Sequence, residues 1–476
     1  MGLALPPTMV AGIRSATSVA PLLDLPAMLG RQAARLQESL EEAGRYLPSR
    51  VRRTLEKVAL CGDPRRGFAW LLCGPCDVHK LVAHSCKVRV ICGRCGGRRM
   101  ATTAAHLVDR VFPHVAVRQW VLTVPWPRRR LLARKPELAR GVLSVMLNTV
   151  FAWQAKRSGK VGAQGGSVTA TQRFSSDLRL NLHFHALVLD GVYVEDPKTG
   201  RLRFWRDEGP RTADVEELVV LVAKKCEAWL ARRGHGVEGT AGDEDHDPGD
   251  AQQLIQAASV AGRSAVARGR RARRVQVHGG REYKLPPRCA TYNGYNLHAG
   301  VIIGAKDREG LERLARYACR AAISKERLHV LPNGDIELEL KRSWSDGTGA
   351  IRMTELELTE RIAALVPPPK SHGIHYHGVL ASRHRYRSRV VPKPPKRTDA
   401  KTLTKSMKRS ASSTWVPWSE LLRRVFEKDG FQCPVCGEQM SVRAVVLPPG
   451  AVRVVAGLEA AQARGSPDGG PRIIPT

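Results

Sequence analysis

The chain has 476 residues, enough for several domains and a sizeable core, and carries 77 Lys and Arg against 44 Asp and Glu, a formal net charge of +33. A field of that sign draws polyanions, so nucleic acid is the expected partner. No apolar run of about eighteen residues occurs, and no charged segment leads into an apolar stretch at the N-terminus, so the chain is expected to be a soluble, unexported, cytoplasmic protein.

Residues 1–60 read as largely helical, with apolar residues at helical spacing in QAARLQESLEEAGRYL. From Cys61 to Cys95, six cysteines fall within thirty-five residues. Cys73 and Cys76 (CGPC) precede Cys92 and Cys95 (CGRC) by fifteen intervening residues. This C-x2-C-x15-C-x2-C spacing points to tetrahedral zinc, because each tight turn aims two thiolates at one ion. The expected structural site is therefore Cys73, Cys76, Cys92 and Cys95, with Cys61 and Cys86 as alternates and His79 and His84 as further substitutes. Around them Lys87, Arg89, Arg94, Arg98 and Arg99 suit a grip on DNA.

MATTAAHLVDRVF continues as a helix, RQWVLTVPWP (118–127) as a core strand, and the segment from Arg128 to Gly159 as one or two helices. GSVTATQRF (166–174) alternates like a strand, and SSDLRL links it to NLHFHALVLDGVY (181–193), so the two form an antiparallel hairpin. In the second strand His183 and His185 flank Phe184. Residues i and i+2 of a strand share a face, so both imidazoles can reach one cation; two hydrogen-bonded core histidines are the alternative.

After the Asp190-Gly191 turn and a helix from Ala213, residues 236–290 read as a charged insertion, acidic first and then densely basic, with the basic half lying against phosphates. LHAGVIIGA (297–305) reads as another core strand. DREGLERLARYACRAAI opens a helix with Asp307 as N-cap, and HVLPNGDIELELK is a hairpin around Asn333-Gly334. VVPKPPKRTDAKTLTKSMKRSASS is a basic linker. Beyond it Cys433 and Cys436 form half a knuckle that either recruits distant ligands or binds nothing.

At about 100° per residue, Leu311, Leu314, Ala315, Ala318 and Ala322 make one apolar stripe, with Tyr317 at its edge and Arg313, Arg316 and Arg320 beyond. A phenol beside guanidinium groups suits attack on a phosphate, since arginine neutralises the nonbridging oxygens. The plainer reading is an amphipathic-helix tyrosine with its hydroxyl in water.

A strand-borne His-bulky-His with a helix-borne tyrosine resembles the HUH endonucleases. The ordered series CGPC…HSCKVRVICGRCGGRRM, RQWVLTVP, TQRFSSDLRLNLHFHALVLDGVY, GYNLHAGV, LERLARYACR, LKRSWSDGT, ERIAALVPPPKSHGIHYHGVLA and FQCPVCGEQM resembles the rolling-circle insertion-sequence transposases of the IS91 type, over residues 55 to 445. The resemblance implies an α+β fold: an HUH nuclease domain with a central antiparallel sheet flanked by helices, preceded by a small zinc-binding domain. It implies Tyr317 as nucleophile, and Mg2+ or Mn2+ on His183 and His185. Products would be a 5′-phosphotyrosine and a free 3′-OH, and substrates single-stranded or hairpin element ends and target DNA.

Relatives with two tyrosines place them four residues apart, and Arg313 stands at the earlier position, so the resemblance is to the single-tyrosine, common-region-like branch. With one nucleophile the enzyme reuses Tyr317, acts as a homodimer, or leaves the second attack to a 3′-OH. Relatives also carry Arg-Pro-Pro after the tyrosine; here Ala321 and Ala322 follow Arg320, which predicts a longer helix. The third metal ligand is Gln172 first, then His298 or Asp177; two imidazoles and one oxygen accept Mn2+ readily and Mg2+ less tightly. A rival pair, His375 and His377 in GIHYHGVLA, follows the tyrosine in a less apolar segment. Expected DNA contacts are Arg313, Arg316, Arg320, Lys341, Arg342, Arg98 and Arg99, with Trp344 stacking a base.

The expected division is a helical segment 1–55, a zinc domain 56–112, a nuclease domain 113–366, a basic segment and linker 367–415, and a C-terminal unit 416–476. Competing functions are a relaxase or replication initiator with the same chemistry, and a zinc DNA-binding protein without catalysis. No G-x4-GK[ST] helicase loop is present.

Overall fold

The strongest alternating and apolar runs of the sequence become one six-stranded antiparallel sheet. The computed structural model describes residues 21–236, 249–267, 269–282, 284–393, 422–424, 429–463 and 472–474. In this sheet the strands run in the order β14 (Ile374–Gly378), β4 (Gly166–Phe174), β5 (Leu180–Leu189), β3 (Val117–Thr123), β10 (Tyr295–Ile303) and β9 (Cys289–Tyr292). The expected β4–β5 hairpin forms, with Gln172 opposite His183 and Ala170 opposite His185. At the end of the sheet the buried Arg118 guanidinium grips Asp190 through Nε and Nη2 at 2.7 and 3.1 Å, tying β3 to β5.

Both faces of the sheet are covered. Leu182, Phe184, Ala186 and Val188 of β5 enter one core, shared with α4 (Trp126–Arg134), α5 (Pro136–Ser158), α6 (Thr212–Ala231), α7 (Ala251–Ala261) and α9 (Glu355–Leu365). Leu187 and Leu189 enter the opposite core, shared with α3 (Gly93–Arg110) and α8 (Arg308–Ala318). His183 and His185 alternate with Phe184, so they lie on the α8 side. As expected, Asp307 caps α8, its carboxylate accepting from Gly310 N at 2.7 Å.

The domain division of the sequence is revised at four places. Helices α1 (Leu25–Glu41) and α2 (Ser49–Ala59) do not stand apart, because Met28, Leu29, Leu36 and Leu55 are fully buried in the core over Phe184. The insertion contains regular structure: α7 packs on α9, and β8 (Arg273–Gln276) extends the sheet β11 (Leu328–Val330), β12 (Ile336–Glu339), β13 (Thr348–Met353). Its acidic stretch 237–248 lies outside the described residues. β14 falls in the segment read as basic and linker-like, yet is an edge strand of the central sheet. The C-terminal unit also joins the cysteine-rich module. There β15 (Ser441–Val446) pairs with β1 (Phe68–Cys73), β1 with β2 (Val78–Ala83), and β2 with β16 (Arg472–Ile474). Helix α11 (Gly450–Ala463) packs beside them, and β6 (Gly191–Glu195) and β7 (Leu202–Arg206) form a separate hairpin.

α8 does not run on through the two alanines. It ends at Ala318, and Ala322 N donates to Val90 O at 2.8 Å instead of to a helical carbonyl. The cause is α3, which crosses here: a Cβ on Gly96 would stand 2.5 Å from Ala321 Cβ. The glycine lets the two backbones meet and the chain turn away.

Candidate active site and cysteine clusters

The early end of α8 determines the candidate site. A helix leaves its last carbonyls without intrahelical donors. Gln172 supplies one, its Nε2 donating to Tyr317 O at 3.1 Å and to Ala318 O at 2.8 Å. Because both partners are acceptors, the amide orientation is fixed and Oε1 is directed away from the helix. That oxygen is buried without a partner, directly across the hairpin from His183. A buried orphan acceptor costs free energy unless a ligand satisfies it.

The imidazoles of His183 and His185 stand 4.9 Å apart, and the Tyr317 ring meets His185 edge-on at 5.5 Å. His183 Nδ1 donates to its own strand at Asn181 O, 2.9 Å away, which leaves the Nε2 lone pair for a cation. Gln119 Nε2, from β3, lies 2.9 Å from His185 Nδ1; with the amide turned over, its Oε1 would accept from Nδ1–H and hold that ring in the matching tautomer. Burial holds His183 down at about 4 and His185 well below its ordinary value, so both rings are neutral near pH 7. These donors fit a divalent metal: two neutral imidazoles and an unsatisfied amide oxygen on adjacent strands.

The other ligand candidates are elsewhere. His298 shares the sheet face but pairs with Val121, two strands from His185. The Asp177 carboxylate is held by Arg179 and Ser175 in the hairpin link. His375 and His377 lie opposite Thr169 and Ser167, which places them on the far face of the sheet, away from Tyr317.

Tyr317 is 48% exposed, so a DNA strand can reach its hydroxyl. Arg320 lies over its ring at 5.5 Å and Lys341 at 5.9 Å. Partial desolvation, together with Arg320 and Arg327, draws the Lys341 ammonium down to about 8. The expected row of three arginines divides: Arg313 approaches Glu309 at 3.8 Å, and with Arg316 it lines a separate groove with Asp109, Glu312 and Arg424. Arg342 is exposed beside Lys341. The guanidiniums of Arg179 and Arg274 lie over the Trp344 ring, at 5.8 and 5.2 Å. Arg98 and Arg99 lie on α3, and Arg99 borders a cavity beside Gln172. The sequence reading missed Gln119, although a polar residue among the apolar ones of RQWVLTV was its signal.

Eight of the eleven cysteines form two sets, neither of them the expected one. Cys61, Cys86, Cys92 and Cys95 converge in one, and Cys73, Cys76, Cys433 and Cys436 in the other. The closest sulfur separations are 3.4–3.7 Å in the first and 3.3–3.6 Å in the second, and all sulfurs of a set lie within 4.8 Å of one another. Four thiolates at 2.3 Å from one zinc would stand about 3.8 Å apart, so each set fits a tetrahedral ion. Cys73 and Cys76 sit at the β1–β2 turn, whereas Cys92 and Cys95 open α3, where the helix N-terminus favours thiolate. The spacing rule found the knuckles correctly and paired them wrongly, because β15 brings a distant knuckle to β1. Among the nearby histidines, His79 instead accepts from Trp70 Nε1 at 2.7 Å. Among the described residues the buried core around the second set is Leu71, Cys73, Val78, Cys433 and Met440, with Cys76, Val82 and Phe431 packed against it, so small a core that a metal would add to its stability.

The two cysteine clusters beside a basic α+β domain fit a zinc-binding, DNA-processing protein, and the family comparisons make its class a transposase. Residues 166–388 match the family model described as "Putative transposase", and residues 32–124 match "Transposase zinc-binding domain", the module of the IS91 type. Together the two cover about two thirds of the chain, which belongs to the IS91-type transposases. No curated protein and no solved structure matches it. Among the described residues, no helix is long and apolar enough to cross a membrane.

Proposed function

We propose that this transposase nicks and rejoins single-stranded DNA at element ends by tyrosine transesterification, with His183, His185 and Gln172 holding a divalent ion. The observation that carries the reading is the Gln172 bridge: one side chain caps the helix bearing Tyr317, keeps a buried oxygen without a partner, and belongs to the residue opposite His183 in the hairpin. Nucleophile and donor set are thereby held in one rigid unit.

Tyr317 Oη attacks the scissile phosphorus, the bond to O3′ breaks, and the departing oxygen takes a proton to become a 3′-OH. The phosphodiester is retained as a 5′-phosphotyrosine, so rejoining by a 3′-OH needs no nucleotide triphosphate. Arg320 and Lys341 flank the tyrosine and neutralise the phosphate in the ground and transition states. When bound, Mg2+ or Mn2+ would supply Lewis-acid polarisation of a nonbridging oxygen. Arg313 occupies the place of a second tyrosine and approaches Glu309, so a single nucleophile serves both strands in turn or a second copy contributes its own.

The test is incubation with single-stranded oligonucleotides from the element's ends, with and without Mn2+ or Mg2+. A metal-dependent covalent protein–DNA band, absent in Tyr317→Phe and His183→Ala, is expected. Retention of the band in both variants would overturn the proposal.

A further inference from the structure

Beside the candidate site is a cavity of about 550 Å³ that the nicking reaction does not use. β14 covers β4 only as far as Ala170, so the sheet edge beyond it forms one wall; α3, the turn after α8 and the segment before β14 form the others. Its charged lining consists of Arg89, Arg99, Arg140, Arg173, Arg320 and Lys370, with no carboxylate.

Two of these arginines are held there without an anion. Arg173 is 7% exposed and donates only to backbone carbonyls, from Nη1 to Ala133 O at 2.9 Å and from Nε to Leu365 O at 3.3 Å. Its Nη2 has no partner, and neither has Arg320 Nε. His106 Nδ1, Thr171 Oγ1 and Ser371 Oγ, on residues that also line the cavity, are likewise buried and unsatisfied. A buried cation without a counter-charge is costly, and so many orphan groups around one space call for a polar, anionic occupant. The remaining wall is apolar and aromatic, with Val90, Leu132, Leu182, Phe174 and Tyr376. An aromatic ring joined to a phosphate satisfies both halves of that lining, and the volume is in the range of small-ligand sites.

We propose that this cavity receives one nucleotide of the bound single strand, turned out of the stack next to the scissile phosphate, and so determines where the strand is cut. The inference rests on the nicking reading. Gln172 and Arg320 border both spaces, so the nucleotide in the cavity and the phosphate at Tyr317 are neighbours on one strand. Unstacking costs least in a single strand, which suits the proposed substrate.

The experiment uses the full chain as Tyr317→Phe with Mg2+ and oligonucleotides carrying 2-aminopurine at one position at a time around the cut. One position is expected to change its fluorescence several-fold on binding while its neighbours do not. Thr103→Trp, which fills the cavity from α3, is expected to abolish that signal and weaken binding about tenfold, within the worth of one stacked base. Lys370→Ala, at the rim, is the check against misfolding and is expected to weaken binding while keeping the zinc content. A uniform signal at all positions, or unchanged affinity in both variants, overturns the pocket. So does a loss in both variants that is equal for every position, which marks phosphate tracking alone. Wild-type chain run in parallel reports the covalent band, so a failed pocket and a failed nicking reaction give different results.

Discussion

Strands β5 and β14 carry the same His-bulky-His pattern on one sheet, with only β4 between them, yet the two pairs face opposite ways. His183 and His185 look toward α8 and Tyr317, while His375 and His377 share the face of Thr169 and Ser167. Strand periodicity fixes that two residues share a face; the pairing register fixes which face it is. The difference is one of placement, not of donor chemistry, since burial draws His183 and His377 alike down to about 4.

The largest expected effect sharpens that contrast. His183→Ala is expected to lower the yield of covalent adduct by about three orders of magnitude or more, and His377→Ala to change it by less than about threefold. Equal losses in quantitative gels would mean that the face carries no meaning.

The two cysteine sets allow a second comparison. Purified chain is expected to hold two zinc ions, and Cys92→Ser and Cys436→Ser to remove one each, with structural zinc contributing about 10–16 kcal/mol of apparent binding free energy at neutral pH. Cys92→Ser is expected to lower adduct yield as well, because α3 supports the turn after Tyr317 at Ala321. Elemental analysis giving one zinc in the parent chain would undo the division.

Gln172 gives a smaller effect. Gln172→Ala is expected to raise the Mn2+ concentration for half-maximal nicking about 10- to 100-fold, and Gln172→Glu to keep it near or below the parent value. An unchanged half-saturation in Gln172→Ala would move the third ligand elsewhere.

The smallest effect is on acid stability of the metal-free chain. His183 has its proton affinity lowered by burial from 6.5 to about 4. Between those pH values the unfolded chain binds a proton that the folded chain refuses, so stability is full above about 6.5 and falls as pH drops toward 4. In thermal unfolding across that window, His183→Gln is expected to show a shallower decline; an identical slope would contradict the buried neutral ring.

Much of the candidate site was legible in the residues. HFH in an apolar strand, the tyrosine on an amphipathic helix with Asp307 at its cap, and Gln172 on the preceding alternating strand all lie in elements of the expected type and order. The cysteine partnership was not legible, because local spacing cannot distinguish one knuckle's partner from another when β15 returns from residue 441 to pair with β1. Nor was the end of α8, where the missing prolines predicted extension and the crossing of α3 at Gly96 decided otherwise.

By itself the sequence determined the chemistry available: cationic charge for DNA, thiolates in pairs for zinc, imidazoles two apart on a strand, and one phenol on a helix. These follow from residue type and short-range periodicity, which operate over a few residues. Only the tertiary structure decided which thiolates meet, which histidine pair faces the tyrosine, and that Gln172 ties helix to strand with one oxygen left free. Those depend on register and on contacts between residues far apart in the chain, where packing selects among arrangements that the local pattern permits equally.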